Sequence, residues 1–417
     1  MLIKGTTPNE EPLVSIGIIL PKDKQNFVQI FDSHTDKNFK LESKNGNLLS
    51  NKKIISIFKI SNKPNNSKTT IFPVIAGRGF HWEKQIPISV LGDIEIKILN
   101  GHLFVVNHIP LEKYLMCVAT SEMSGNCPPA LLETQTIAAR SWLLAASEQK
   151  HVELGIDACN DDCCQRYQGV ENITKSAVHA TENTAGLVLM HENRICDSRY
   201  SKSCGGISEN NENVWKDQPK DYLQGIVDGT ESEFPEFNSE SVFDSWIKKD
   251  QNYYCSPNYV NEKILKNYLG NVDEHKSYFR WNYKFKQKEL TNLISKKLDC
   301  SFESILSLKP INRGVSGRIL ELEIRGIINS KIITININNE YEIRRVLHPD
   351  FLFSSAFTIK IDKNKNRLPS YFKLIGAGWG HGVGLCQIGG LGMALAKKST
   401  KEILMHYYSN SEIIKIY

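Results

Sequence analysis

Three stretches of the chain carry residues whose types and spacing can do chemistry. Glu122 lies between Ser121 and Met123, at the end of the apolar-patterned run LEKYLMCVATSEM and just before Gly125 to Pro129. Apolar neighbours such as Met123 and Trp142 would favour a protonated carboxyl, the state that a general acid needs near neutrality. The chain holds 46 acidic residues, so residue type alone singles out none of them, and a solvated Glu at a helix end is the plain alternative. The second stretch gathers Cys159, Cys163 and Cys164, with His151 upstream. Thiolate and imidazole are preferred zinc ligands, and His151, Cys159 and Cys164 form a candidate tetrahedral, structural site. The spacing is not the paired C-x-x-C of a ribbon or finger, so a bound metal, a disulfide and reduced structural thiols all remain open.

The third stretch places Gly376, Gly378, Gly380, Gly382, Gly384, Gly389, Gly390 and Gly392 within one short segment. Such density lets backbone approach a ligand closely. It does not match the dinucleotide fingerprint G-x-G-x-x-G, because Gln387 stands where the third glycine should follow Gly382 and Gly384. His381, between two glycines and near Trp379, either hydrogen-bonds a ligand or fixes the loop. Trp379 and Trp215 either stack on a ligand or belong to the core.

The elements that must position these residues are legible in part. The first hundred residues alternate short β-branched runs (VSIGIIL, NFVQIF, KIISIFKI, TTIFPVI) with Asn, Lys and Gly turns, and Asn100-Gly101 between IEIKIL and HLFVVN predicts a type I′ hairpin. Helical periodicity starts at Pro110, pauses at Gly125 to Pro129, and resumes from Ala130. There Leu132, Thr136, Ala139, Leu143 and Ala146 form one stripe, widened by Leu131, Ala138 and Trp142. Pro128 and Pro129 suit a first helical turn. Residues 231–300 are aromatic, charged and helical in pattern, which predicts an inserted subdomain; strands return from Leu306 (ILELEIRG, KIITININ, FTIKI), and the helix STKEILMHYY closes the chain. The expected fold is α+β, with a β-rich region over 1–105, a core over 106–230 and 301–417, and the helical insertion between them.

With 417 residues, two domains or one domain with a large insertion are expected. A net charge of +5 from 51 basic and 46 acidic residues suits an anionic polymer but is too diffuse for nucleic acid. No window approaches the apolar length of a membrane span. The run Leu13 to Leu20 is broken by Ser15 and Gly17 and preceded by Glu10 and Glu11, so it reads as a strand and not a signal peptide.

Three segments, in this order, resemble the SpoIID/LytB family: LEKYLMCVATSEMSGNCPPALLETQTIAARSW, DACNDDCCQRYQGV with YSKSCGGISENNENVWKDQPKDYL, and GAGWGHGVGLCQIGGLGMALAKKSTKEILMHYY. Weaker likenesses (RWNYKFKQKEL, RGVSGRILELEI, IRRVLHPDFLFSSAF) extend the resemblance over roughly residues 76 to 415. It implies a lytic transglycosylase acting on peptidoglycan glycan strands, with Glu122 as the single catalytic carboxylate on one wall of a cleft. Hydrolytic glycosidases usually need two carboxylates, whereas here the 6-hydroxyl of muramic acid would attack C1, so one Glu can serve as acid and then base. Glu112 and Asp157 are the other acids to consider. By the same resemblance Arg140, Gln165, Tyr200, Ser203, His381 and Gln387 are candidates for substrate contact or its support.

Some relatives bind zinc in the Cys159 segment, where this chain has Cys163 in place of the usual His, and Cys204 stands where many carry Ser. The same family includes amidase enhancers, so a non-catalytic glycan-binding role that stimulates a cell-wall amidase is the competing expectation. Either role implies an extracytoplasmic protein, exported by a segment not visible in this sequence.

Overall fold

The structure, a computed structural model, describes residues 1–61, 67–79, 83–230, 233–249, 252–270, 273, 277–365 and 367–417. It divides into two compact units. The first comprises Met1–Asp197, Asn267–Asp273 and Ser411–Tyr417, and the second Ser198–Lys266 and Glu274–Asn410. Both mix helices and sheets, as expected for an α+β chain.

The first unit opens with strands β1 (Leu13–Ile19), β2 (Phe27–Asp32), β3 (Lys37–Lys44), β4 (Asn47–Ser50), β5 (Lys53–Ile55), β6 (Phe58–Ile60), β7 (Thr69–Ala76), β8 (Lys84–Val90), β9 (Asp93–Leu99) and β10 (His102–Pro110). Six of them form a sheet in the order β5-β4-β3-β2-β7-β8. β1, β10, β9 and β6 form a second sheet, which β11 (Ala158–Cys159) joins at the edge of β1. The hairpin between β9 and β10 turns at Asn100 and Gly101, both at positive φ, as the Asn-Gly pair predicts.

β10 runs directly into helix α1 (Leu111–Glu122), which buries Leu111, Tyr114, Leu115 and Val118, the i, i+3, i+4, i+7 stripe of an amphipathic helix. α2 (Pro129–Ala145) begins at the paired prolines and ends where Ala146 turns left-handed. Its buried hydroxyls Thr134, Thr136 and Ser141 each bond back to the carbonyl four residues earlier, which satisfies them without breaking the helix. α3 (Lys175–Asn183) packs on both, and β12 (Leu187–His191) pairs with β13 (Arg194–Ile195) and with the C-terminal strand Glu412–Lys415.

In the second unit β14 (Tyr200–Ser201) precedes short helices α4 (Asn211–Trp215), α5 (Glu240–Lys248) and α6 (Glu262–Leu265). β15 (Arg280–Lys286) and α7 (Gln287–Leu298) follow, then β16 (Ser304–Arg313), β17 (Ile319–Ile328) and β18 (Lys331–Asn338), paired in that order, and α8 (Glu340–Val346). β19 (Phe357–Lys363) and β20 (Pro369–Ala377) complete a sheet ordered β15-β20-β19. The core between these sheets, α7 and α8 includes Trp281, Phe285, Leu290, Ile294, Ile319, Leu322, Ile343 and Phe372. β21 (Leu385–Cys386) then pairs in parallel with β14, and α9 (Gln387–Leu395) and α10 (Thr400–Tyr407) finish the unit.

The structure corrects the expectation of a separate helical insertion over 231–300, whose first residue lies outside the described ones. RWNYKFK alternates aromatic and polar residues with period two, and Trp281 and Phe285 turn inward while β15 pairs with β20 along its whole length. Residues 267–273 belong to the first unit, where Met123 bridges to Leu269 and the Ser124 amide donates to the Tyr268 carbonyl. The segment is divided between the two units.

Candidate functional site

Glu122 is the last residue of α1, where the chain leaves the helix because Met123 adopts an extended conformation and bridges to Leu269. Its side chain is 8% exposed, and Oε1 accepts the Arg166 backbone N–H at 3.0 Å. That amide is held in place by its neighbours. Gln165 is fully buried, accepting from the Tyr114 hydroxyl at 3.1 Å and donating to the Ala139 carbonyl at 3.0 Å. The Gln168 amide donates to Ser121 Oγ, and the Tyr167 hydroxyl to Asn107 Oδ1. Residues 165–168 are thus pinned across the end of α1 by side chains from α1 and β10 and a backbone carbonyl of α2, a position from which Gln165 holds the amide that meets Glu122.

The immediate surroundings of Glu122 are more polar than the sequence suggests. Met123 is buried, but Trp142 lines a different pocket with Leu2, Ile156 and Cys164. Arg166, in contrast, forms ion pairs with Asp162 and, at 2.7 Å, with Asp273. Burial acts to lower its pKa, but Asp162, Asp273 and Glu122 outweigh it and hold the guanidinium charged. Burial pushes the Asp162 carboxyl up to about 6, against the opposing pull of Arg166. Residue type alone hid this network. The Asp162 to Arg166 spacing in DDCCQR was a local signal, but Asp273 arrives from a hundred residues downstream.

The two other acids weighed from the sequence have structural tasks. Glu112 pairs with Arg140 through Nε at 2.9 Å and Nη2 at 2.5 Å, and also accepts from the Tyr417 hydroxyl and the Gly186 amide. Arg140 is fully buried and spends Nη1 on the Leu187 carbonyl, so it ties α1 to α2 and β12 and its position suits support and not contact. Asp157 accepts the backbone amides of Leu2 and Ser15.

His151, Cys159, Cys163 and Cys164 converge in the first unit, with their candidate ligand atoms all within 4.8 Å of one another. Cys159 Sγ lies 3.1 Å from Cys163 Sγ, which is 3.8 Å from His151 Nε2. All ten cysteines are free thiols. Hydrogen bonds from Cys159 and Cys164 draw the Cys163 thiol strongly toward its thiolate form. Cys163 therefore joins the expected set of three as a fourth member. The loop is anchored by Arg78, whose guanidinium contacts Asp23, Asn160 and Asp161, a role with no local sequence signal.

Tyr200, Ser203, His381 and Gln387 all lie in the second unit. Ser203 and Trp379 exchange backbone hydrogen bonds at 3.0 and 2.7 Å, and Tyr200 pairs with Leu385. The His381 ring sits edge-on to Trp215, 4.8 Å between centroids, and its Nδ1 accepts the Val383 amide. Burial, then the cations of Arg199, Arg344 and Arg318, push His381 well below the usual range, so it is neutral and its Nε2 carries the proton. Trp379 stacks on Phe353 at 4.2 Å, and the Arg199 guanidinium covers Trp215 at 3.7 Å, so each tryptophan has one face already in use. Gln387 is buried at the start of α9.

The glycine density serves close packing within the protein. Gly382 is at φ +77°, and a Cβ there would fall 2.3 Å from the guanidinium carbon of Arg318, which is fully buried. At Gly384 a Cβ would meet the Arg199 carbonyl oxygen at 2.0 Å.

A family model described as "Stage II sporulation protein" matches residues 99–191, and one described as a domain of unknown function (DUF8618) matches residues 209–384. An uncharacterized protein of Brachyspira hyodysenteriae is 26% identical over 330 residues, covering 78% of this chain and 73% of the relative. The amidase enhancer of Bacillus subtilis is 24% identical over 312 residues, covering 71% of this chain and 39% of the relative. Stage II sporulation protein D of the same organism is 24% identical over 193 residues, covering 43% of this chain and 54% of the relative. The chain thus spans about four-tenths and half the length of these last two.

Proposed function

We infer, from a chain that belongs to the SpoIID/LytB family, that it acts on the bacterial cell wall as a lytic transglycosylase with Glu122 as its acid and then its base. The observation that carries this reading is the setting of Glu122: nearly enclosed, at a helix end, with Oε1 oriented by one backbone amide. Glu122 would protonate the oxygen between MurNAc and GlcNAc, and the carboxylate so formed would take the proton of the muramic 6-hydroxyl as that oxygen closes on C1. The product is a 1,6-anhydro-MurNAc end, with bond order and protons balanced and no water consumed. Glu112 and Asp157 are committed to structural bonds, which supports the one-carboxylate scheme with Glu122.

Glu122→Gln should abolish cleavage while retaining co-sedimentation with purified glycan, because the amide keeps the side chain's shape and loses its proton transfer. Retained cleavage would end the assignment. The relative named amidase enhancer supports a second reading, in which the chain binds glycan and stimulates a separate amidase. On that reading wild type and Glu122→Gln would stimulate an amidase equally, and neither would cut glycan.

His151, Cys159, Cys163 and Cys164 fit a closed, structural zinc site in which four protein ligands leave no position for substrate. Bound there, zinc would hold the loop that leads into Gln165 and Arg166. The substrate lies outside the cytoplasmic membrane, so the site of action is extracytoplasmic; among the described residues no helix is long and apolar enough to cross a membrane. A reporter fused to the full reading frame that stays in the cytosol would contradict both the location and the substrate.

A further inference from the structure

The second unit contains a cluster that the reading above does not use. Cys204, Asp228, Cys255 and Cys386 are all buried, and their candidate ligand atoms lie within 4.8 Å of one another. They come from four separated places: the turn after β14, the loop after α4, the segment after α5, and the residue that caps α9. We propose that these four side chains form a second metal site, distinct from the His151 cluster, that takes one zinc-like divalent cation as a structural centre. This inference does not depend on the glycan-cleaving assignment.

The distances distinguish a metal site from a disulfide. Cys204 Sγ and Cys255 Sγ are 3.8 Å apart. Two sulfurs each about 2.3 Å from one tetrahedral zinc stand about 3.8 Å apart, whereas a disulfide would bring them to about 2.05 Å. Cys204 Sγ lies 3.3 Å from Asp228 Oδ2, close to the roughly 3.5 Å expected for a sulfur and a carboxylate oxygen sharing such an ion.

The surroundings suit bound thiolates. The Cys204 and Gly389 amides both donate to Cys386 Sγ, at 3.1 and 3.2 Å, and the Gly206 amide donates to Cys204 Sγ at 3.3 Å. Amides aimed at sulfur are the outer support that orients metal ligands and spreads their charge. Asp228 is fully buried, with Oδ1 accepting from the Tyr407 hydroxyl at 2.5 Å and Oδ2 from the Cys255 amide at 3.1 Å. Among the described residues, His406 Nε2 at 3.8 Å is the ionic partner of this carboxylate. A buried carboxylate is costly unless paired or bound to a metal, and a divalent ion would supply the missing charge. Gly389 is part of the enclosure: a Cβ there would come 2.7 Å from both Asp228 oxygens.

Three sulfurs and one oxygen select a thiophilic ion over calcium or magnesium. Four protein ligands close the tetrahedron, so the ion would join four chain segments and do no chemistry.

The test is zinc content in the full-length chain, purified without chelator under reducing conditions. Cys386→Ser should carry one equivalent less than the wild type, while Cys163→Ser, which disrupts only the His151 cluster, should keep the ion of this site. Unchanged zinc in Cys386→Ser would overturn the proposal, as would a Cys204–Cys255 disulfide found by non-reducing peptide mapping. If Cys386→Ser does not fold, the wild type alone decides. Chelator should expose Cys204, Cys255 and Cys386 to alkylation together; labelling of these three that does not respond to chelator would refute the site. Cobalt(II) bound to folded Cys163→Ser should show thiolate charge-transfer and tetrahedral ligand-field absorption, and absence of both would equally refute it.

Discussion

At the scale of single residues, burial and partners decide which task a side chain can perform. Arg140 fell in a motif and was expected to contact substrate or to support that contact; its full burial against Glu112 makes it a tie between helices. Arg140→Ala would take the ionic partner from Glu112 and a donor from the Leu187 carbonyl, and breaking a buried pair in this way costs about 3–5 kcal/mol. Denaturant unfolding of the variant should show that loss, and a change below about 1 kcal/mol would contradict the pairing. His381 gives a pH prediction with a definite sign. Its folded-state pKa is depressed by burial and neighbouring arginines, so above the unfolded value of about 6.5 the ring is neutral in both states and contributes no difference. As pH falls through about 6.5 the unfolded chain takes up a proton that the folded ring resists, and stability is lost. Wild type should therefore lose more stability than His381→Gln between about pH 7.5 and about pH 5; equal losses would show that the ring is not held neutral.

At the scale of elements, α1 and α2 were legible because their apolar stripes, prolines and stop signals agree. Local pattern could not show the arm 267–273, whose place against Met123 and Ser124 depends on pairing across more than a hundred residues. Gly270 fits there because its missing Cβ would lie 2.5 Å from the Ser121 carbonyl oxygen. Gly270→Ala should push this arm off the end of α1, weaken the Asp273–Arg166 pair, and lower cleavage about tenfold or more with the fold retained by circular dichroism. Unaltered activity would show that the arm does not position Glu122. The same pairing explains why 231–300 is not a detachable insertion. Averaged over seventy residues its composition reads as helical, yet the strict alternation of RWNYKFK already marked β15, and removing the segment would strip β15 from its sheet and Asp273 from Arg166.

At the scale of the whole molecule, the α+β class was readable from the strand and helix patterns and the likeness to Stage II sporulation proteins from motif order, while the boundaries of the two units were not. The chain crosses between units at several places, and composition carries no mark of those crossings. Arg78 and Asp273 were missed for the same reason: their partners are set by tertiary folding and not by spacing. The gathering of Cys204, Cys255 and Cys386 is a further case, since 182 residues separate the ends of that set. The central claim, that one carboxylate cleaves glycan without water, is tested most directly by the mass of fragments that the pure wild-type chain releases from denuded glycan strands. The account predicts ends of 1,6-anhydro-MurNAc, lighter by one water than hydrolytic ends, from wild type and none from Glu122→Gln. Fragments with ordinary reducing ends would require a second carboxylate and would contradict it.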